Sequence, residues 1–360
     1  MRSDNSLFMR AASGGKTDRP PLWLMRQAGR SDPVYREIRE SFPGPLENFF
    51  QNSELACMIS LLPVRWGVDA VIIFQDILTP LQAMGAPFVF RPGPQPITPF
   101  KALADFDRLH VFDMADGLPA LTRLYELLCH ALRDTDLPLL GFAGSPFTLF
   151  AFMAENGSPP SNLPQTRRLM AQYPEKVRRI LTVLATMTAD YLKYQMHCGA
   201  DAVQLFESVG QLLSPEEYQE WMLPYQQQVF DSVNDAGKPT IFFARRHDAL
   251  LPAATLQAAG ASILSLPEAY TIKGVREELG EAAIIQGNVD NHLLAEGKDE
   301  EILAAAARCI EEGGCRGHVF NLSHGLLAHT PFEKVRLLVE YVRSYRKESE
   351  EGTCSATPKP

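Results

Sequence analysis

Eight short aliphatic or β-branched runs recur along this chain, and each leads into a segment whose apolar residues fall at helical spacing. The runs are Pro21–Met25, Ala70–Phe74, Pro138–Phe142, Ala202–Phe206, Thr240–Ala244, Ser262–Leu266, Ala283–Gln286 and His318–Leu322. They are apolar on both faces, which suits parallel strands covered by helices on either side. Helices are predicted over Leu46–Trp66, Leu163–His197, Pro215–Ala236, Leu250–Ala259, Ile272–Leu279, Glu300–Glu311 and Pro331–Tyr345. Ser214, with Pro215 next and Glu217 three residues on, is a complete helix start, and Thr330-Pro331 with Glu333 is a weaker one. The alternation predicts an α/β protein, a (β/α)8 TIM barrel forming a single domain over 1–346, with an open doubly wound sheet as the competing architecture. Gln82–Leu109 reads as an elaborated excursion of the barrel, and the polar tail 347–360 as disordered.

A formal charge of −9 and a pI near 5.5 argue against a nucleic-acid surface, so any anionic ligand needs a locally positive pocket. Leu137–Ala154 is uncharged over a nominally membrane-spanning length, but Pro138, Gly141, Gly144 and Pro146 make a strand, a turn and a helix start the better reading. Met1–Pro21 lacks the apolar core of a secretory signal. The six cysteines include no Cys-x-x-Cys pair, so reduced thiols and a cytoplasmic location are expected. Cys315 and His318 have a usable metal spacing without a second pair, and a structural role is the default for both.

Barrel enzymes place their chemistry where strands end. Those positions hold Arg26, Asp76, Gly144 with Ser145, Ser208, Arg245, Pro267 with Glu268, Asn288 with Asp290, and His324. Arg26 and Arg30 stand four apart directly after the first run, where a surface ion pair is the plain alternative to anion binding. Ser13-Gly14-Gly15-Lys16-Thr17 mimics the end of a phosphate loop, but Arg10 stands where the first glycine belongs and no strand precedes it, so a flexible loop is expected. Dinucleotide, nucleophile-elbow and zinc-protease signatures are lacking.

Six segments occur in order at strand ends: "MRQAGR", "IIFQDIL", "GFAGSPFTL", "LFES", "QGNVD" and "NLSHG". Together, over roughly Asn5–Tyr345, the chain resembles the uroporphyrinogen decarboxylase family, whose fold is a (β/α)8 barrel. The resemblance implies removal of carbon dioxide from the four acetate side chains of uroporphyrinogen III, giving coproporphyrinogen III, with no metal or organic cofactor. It also implies a homodimer without nucleic-acid or membrane partners. The site it carries over comprises Arg26, Gln27, Ala28, Gly29, Arg30, Asp76, Phe152, Ser208 and His324. An octacarboxylate on an acidic protein needs concentrated guanidinium groups, whose fixed fork matches carboxylates. Asp76 resembles the acceptor for the pyrrole N–H groups, placed to stabilise the cationic ring that forms as decarboxylation begins. Arg26 and Arg30 bind carboxylates on this reading, and one of them delivers a proton or orients the group that does.

Plainer roles stand beside these. Asp76 caps a helix, Ser208 satisfies a turn, and His324 packs at a strand end. Phe74, Phe142, Phe147 and Phe206 are core or a flat apolar wall, with core the default. Gly141 and Gly144 admit the macrocycle or serve turn geometry. Arg245-Arg246 is a solvated pair, or Arg245 is the basic residue the family has there.

The chain departs from the family pattern at the expected mouth. Ser31-Asp32-Pro33 replaces Tyr-Leu-Pro, and Asp32 is expected to weaken carboxylate binding. Phe152 replaces a tyrosine and loses its hydroxyl. Gln75, Glu268 and Ser323 are further differences. A catalytically weak tetrapyrrole carrier is therefore one alternative. A zinc-dependent methyltransferase of the same superfamily is another, although Leu264-Ser265-Leu266 and Leu322-Ser323-His324 supply no His-x-Cys pair.

Overall fold

Seven parallel strands form one curled sheet in the computed structural model, which describes residues 6–29, 31–245 and 250–345. In spatial order they are β1 (Val71–Ile72), β4 (Leu139–Gly144), β5 (Ala202–Glu207), β6 (Thr240–Ala244), β7 (Ile263–Ser265), β8 (Ile285–Gln286) and β9 (His318–Val319). An antiparallel ribbon of β2 (Phe88–Phe90) and β3 (Pro94–Pro96) belongs to the predicted excursion. Neighbouring strands pair in parallel throughout, as Leu140↔Ala202, Val203↔Thr240, Ile241↔Ile263, Leu264↔Ile285 and Ile285↔His318 show. Every residue of β4 and β6 is buried, which explains runs with no polar alternation.

The first predicted run is the eighth stave. Only Leu22 makes a bridge, to Phe320, yet the segment bonds to both edges of the sheet. The Phe320 N–H donates to the Pro21 carbonyl at 2.8 Å, and the Asp69 N–H to the Leu22 carbonyl at 2.7 Å. These contacts join the end bearing β9 to the end bearing β1, as the barrel reading requires and an open sheet does not.

Prolines and a capping asparagine cut the longer predicted helices. Leu163–His197 is two helices, Pro164–Gln172 and Pro174–Cys198, with Tyr173 out of helical geometry (φ −139°, ψ 51°) before Pro174. Leu46–Trp66 breaks at Asn52, whose side chain caps the following helix through the Leu55 N–H, and finishes as a 3-10 turn over Leu62–Trp66. Ser214 forms the predicted capping box with Glu217, worth about 1 kcal/mol. Thr330 instead accepts the Leu327 N–H, and Phe332–Ser344 starts after Pro331. Helices Pro33–Ser41 and Pro119–Ala131 are additional.

Leu137–Ala154 folds as β4 followed by helix Pro146–Ala154, and among the described residues no helix is long and apolar enough to cross a membrane. In the segment expected as a flexible loop, Lys16 bridges Arg316 and buried Thr17 bonds to the Cys315 carbonyl. The tail 347–360 lies outside the described residues.

Candidate active site

A cavity of about 400 Å³ opens beside the C-terminal ends of the strands. Beneath it the barrel holds a polar layer. Trp23 Nε1–H donates to Gln286 Oε1 at 2.9 Å, and Gln286 Nε2 donates to Gln204 Oε1 at 2.9 Å and Ser265 Oγ at 3.0 Å. Buried amides remain in such a place only when partnered, and these tie four staves together under the site.

Two aromatic arcs form much of the wall. Tyr35, Phe74, Phe50 and Phe90 follow one another at centroid distances of 5.9, 5.4 and 5.7 Å. Opposite in chain order run Phe142, Phe206, Phe243 and His324, at 5.6, 5.4 and 5.5 Å. Phe74, Phe142 and Phe206 are thus wall as well as core, whereas Phe147 is fully buried and outside this lining. The ribbon adds Phe90, Pro92, Gly93 and Pro94, so the Gln82–Leu109 excursion contributes directly to the site.

Asp76 follows β1 and lines the cavity. Its Oδ1 accepts the Leu78 N–H at 2.9 Å, a local turn rather than a helix cap, since helix Thr79–Ala83 has no side-chain cap. Burial raises the Asp76 carboxyl above its ordinary range, while the Leu78 N–H and the Arg26 charge oppose that shift. Arg26 is exposed at the mouth with a left-handed backbone (φ 60°). His324 lines the same cavity, and its imidazole is pushed down to about 3 by burial, then by the positive fields of Arg26 and Arg245. It is neutral at physiological pH and offers a hydrogen bond rather than a charge.

Ala28, Gly29, Phe152 and Ser208 also line the cavity. Ser208 donates its N–H to Thr148 Oγ1 at 3.0 Å, and the Thr148 hydroxyl donates to buried Glu207 at 2.5 Å. Gln27 is not part of the lining. Its Oε1 accepts the Leu24 N–H at 3.0 Å and its Nε2 donates to the Ala70 carbonyl at 2.9 Å, so the side chain clamps the first stave to β1. Arg30 and Arg246 lie outside the described residues.

Other strand-end groups stand outside the cavity lining. Asp290 caps helix Asn291–Glu296, Asn288 Nδ2 donates to the Pro267 and Tyr270 carbonyls, and Glu268 is outside the lining. Gly141 faces outward, where a Cβ would stand 2.5 Å from Gln195 Oε1, so helix packing and not a macrocycle requires the glycine. Gly144 is likewise crowded by Leu149 and Ile77. His318 Nε2–H donates to the Gly287 carbonyl at 2.9 Å beside buried Cys309, which gives it a structural role. Among the described residues no three His, Cys, Asp or Glu side chains gather as a metal set. Tyr35 and the ribbon are lining residues that sequence reasoning passed over, whereas Gln75, noted as a departure at the expected mouth, does line the cavity.

A parallel barrel with a carboxylate, an arginine and aromatic walls converging at its strand ends is a (β/α)8-barrel enzyme. The chain belongs to the uroporphyrinogen decarboxylase family, whose model, described as Uroporphyrinogen decarboxylase (URO-D), matches residues 3–345. It is similar to proteins named uroporphyrinogen decarboxylase from Syntrophotalea carbinolica, with 37% identity over 93% of this chain and 96% of that one, and from Myxococcus xanthus, with 36% identity over 98% and 100%. In fold it is similar to a methyltransferase from Methanosarcina mazei, with a TM-score of 0.77, 20% identity, and coverage of 94% of this chain and 99% of that one.

Proposed function

We propose that this chain removes carbon dioxide from the four acetate side chains of uroporphyrinogen III, giving coproporphyrinogen III, as a cytoplasmic homodimer. The observation carrying this reading is Asp76 in a cavity walled by aromatic rings, with Arg26 at its mouth. A cyclic tetrapyrrole is apolar across its rings and anionic at its rim, the same division as the site.

Asp76, when ionised, accepts pyrrole N–H groups. Protonation of the pyrrole α-carbon next to the ring carbon bearing an acetate makes that pyrrole cationic, and the nearby carboxylate stabilises the charge without having to reorganise. The bond to the carboxylate then breaks and its electron pair flows into the ring. Carbon dioxide leaves, the exocyclic carbon takes up a proton to become a methyl, and the ring carbon loses its proton. Arg26 and Arg30 hold rim carboxylates, with one of them serving proton delivery. His324 and Ser208 add hydrogen bonds, while Ala28, Gly29 and Phe152 shape the wall.

Anaerobic incubation of the purified protein with uroporphyrinogen III tests the reaction, and coproporphyrinogen III is the expected product. Retained binding without product would replace this reading with that of a tetrapyrrole carrier, which the missing hydroxyl at Phe152 favours. Sedimentation of the free protein tests the dimer.

A further inference from the structure

We propose that Gly325 is a positioning residue for this site: its bare Cα gives the Arg26 stem its path across the mouth, and its N–H locks His324 as an Nε2–H donor. The inference rests on the tetrapyrrole reading for what those two side chains hold.

Three contacts carry it. A Cβ built on Gly325 would stand 2.5 Å from Arg26 Cδ, 2.6 Å from Cγ and 3.1 Å from Nε, so the arginine lies over space that any other residue would fill. The backbone on both sides is pinned. The Gly325 carbonyl accepts from Asn291 Nδ2 at 3.0 Å, the Leu326 N–H donates to the Met25 carbonyl at 2.9 Å, and the Met25 N–H donates to Asn321 Oδ1 at 3.0 Å. An added methyl is therefore relieved by moving the guanidinium, not the chain.

The third contact fixes the histidine. The Gly325 N–H reaches His324 Nδ1 at 2.7 Å, and an amide N–H can only donate. Nδ1 must carry the lone pair, which leaves the proton of the neutral ring on Nε2. Among the described residues, the charged and titratable groups facing the ring are Arg26, Arg245 and His292, all of which oppose a second proton. One residue without a side chain thus sets both the cation and the neutral donor of the site.

Binding of uroporphyrin III, the fluorescent oxidised form of the substrate, gives the test, with circular dichroism confirming the fold of each variant. Gly325→Ala should weaken binding about tenfold, the scale of one charge-assisted contact. Arg26→Ala should weaken it at least as much, and Gly325→Ala added to Arg26→Ala should cost nothing further, because the overlapped atoms are gone. Additive losses, or wild-type binding by Gly325→Ala, overturn the proposal. Nitrogen-15 spectra of ring-labelled histidine in the wild-type protein should show His324 as Nε2–H. An Nδ1–H ring overturns the proposal too, and this measurement stands even if Gly325→Ala does not fold. A wild-type protein that neither binds uroporphyrin III nor converts uroporphyrinogen III instead removes the tetrapyrrole reading, leaving the tautomer result to decide the local geometry.

Discussion

Arg65 and Asp32 form an ion pair whose acidic member is fully buried. Asp32 is also the N-cap of helix Pro33–Ser41, accepting the Val34 N–H at 2.8 Å. The negative charge expected to disturb carboxylate binding is turned away from the cavity and neutralised where it sits. Asp32→Ala should therefore lower stability by about 2 kcal/mol, combining a lost cap with a broken pair whose arginine is partly solvated. Urea unfolding measures the loss, and KM should stay within about threefold of wild type because no substrate contact is removed. Unchanged stability with a much lower KM would return Asp32 to the site.

Asp76→Asn removes the charge that meets the cationic ring. A loss of about 3–4 kcal/mol, on the order of 10²–10³ in kcat/KM, is expected with little change in thermal unfolding. The pH profile gives a second measurement. Burial raises this carboxyl, and only its ionised form accepts N–H groups, so activity falls as pH drops through that raised value. The acid limb of kcat/KM should lie above about pH 4, where an ordinary aspartate titrates.

Phe152 lines the cavity with a bare ring. Phe152→Tyr restores the hydroxyl usual in the family and should lower KM by about twofold to tenfold, the worth of one hydrogen bond. Steady-state kinetics with uroporphyrinogen III decide it; a raised KM would mean that the wall around Phe152 has closed over that space.

His318 is held neutral by burial, with its imidazole pushed down to about 4. The unfolded chain titrates near about 6.5, so between those values the unfolded state binds one more proton than the folded one. Stability must fall as pH falls across that window, by about 1.4 kcal/mol per pH unit from this residue. His318→Gln keeps a donor for the Gly287 carbonyl and should flatten the slope by that amount, as measured by urea unfolding at pH 4.5, 5.5 and 6.5.

Much of the fold was legible because two-sided burial writes itself into composition. β6 coincides with its predicted run, β4 overlaps its own and continues two residues past Phe142, and the Ser214 capping box is local chemistry in a few residues. Helix ends were less legible where a polar residue or a proline breaks a continuing apolar pattern, as at Asn52 and Tyr173. Arg26, Asp76, Ser208 and His324 could be placed at the mouth since each stands within two residues of the end of a run, and all four line one cavity. Gln27 shows the limit: it sits inside the most specific motif, yet its amide is spent on Leu24 and Ala70.

The sequence by itself determined the alternation of strands and helices, the family, and the chemistry available where the strands end, because these follow from local periodicity and residue type. Only the tertiary structure decided which of those groups face the cavity. It turned Asp32 toward Arg65, Gly141 toward Gln195 and Asp290 into a cap, while drawing Tyr35 and the 88–96 ribbon into the wall. A side chain's partner is set by which distant backbone arrives beside it, and spacing along the chain does not encode that.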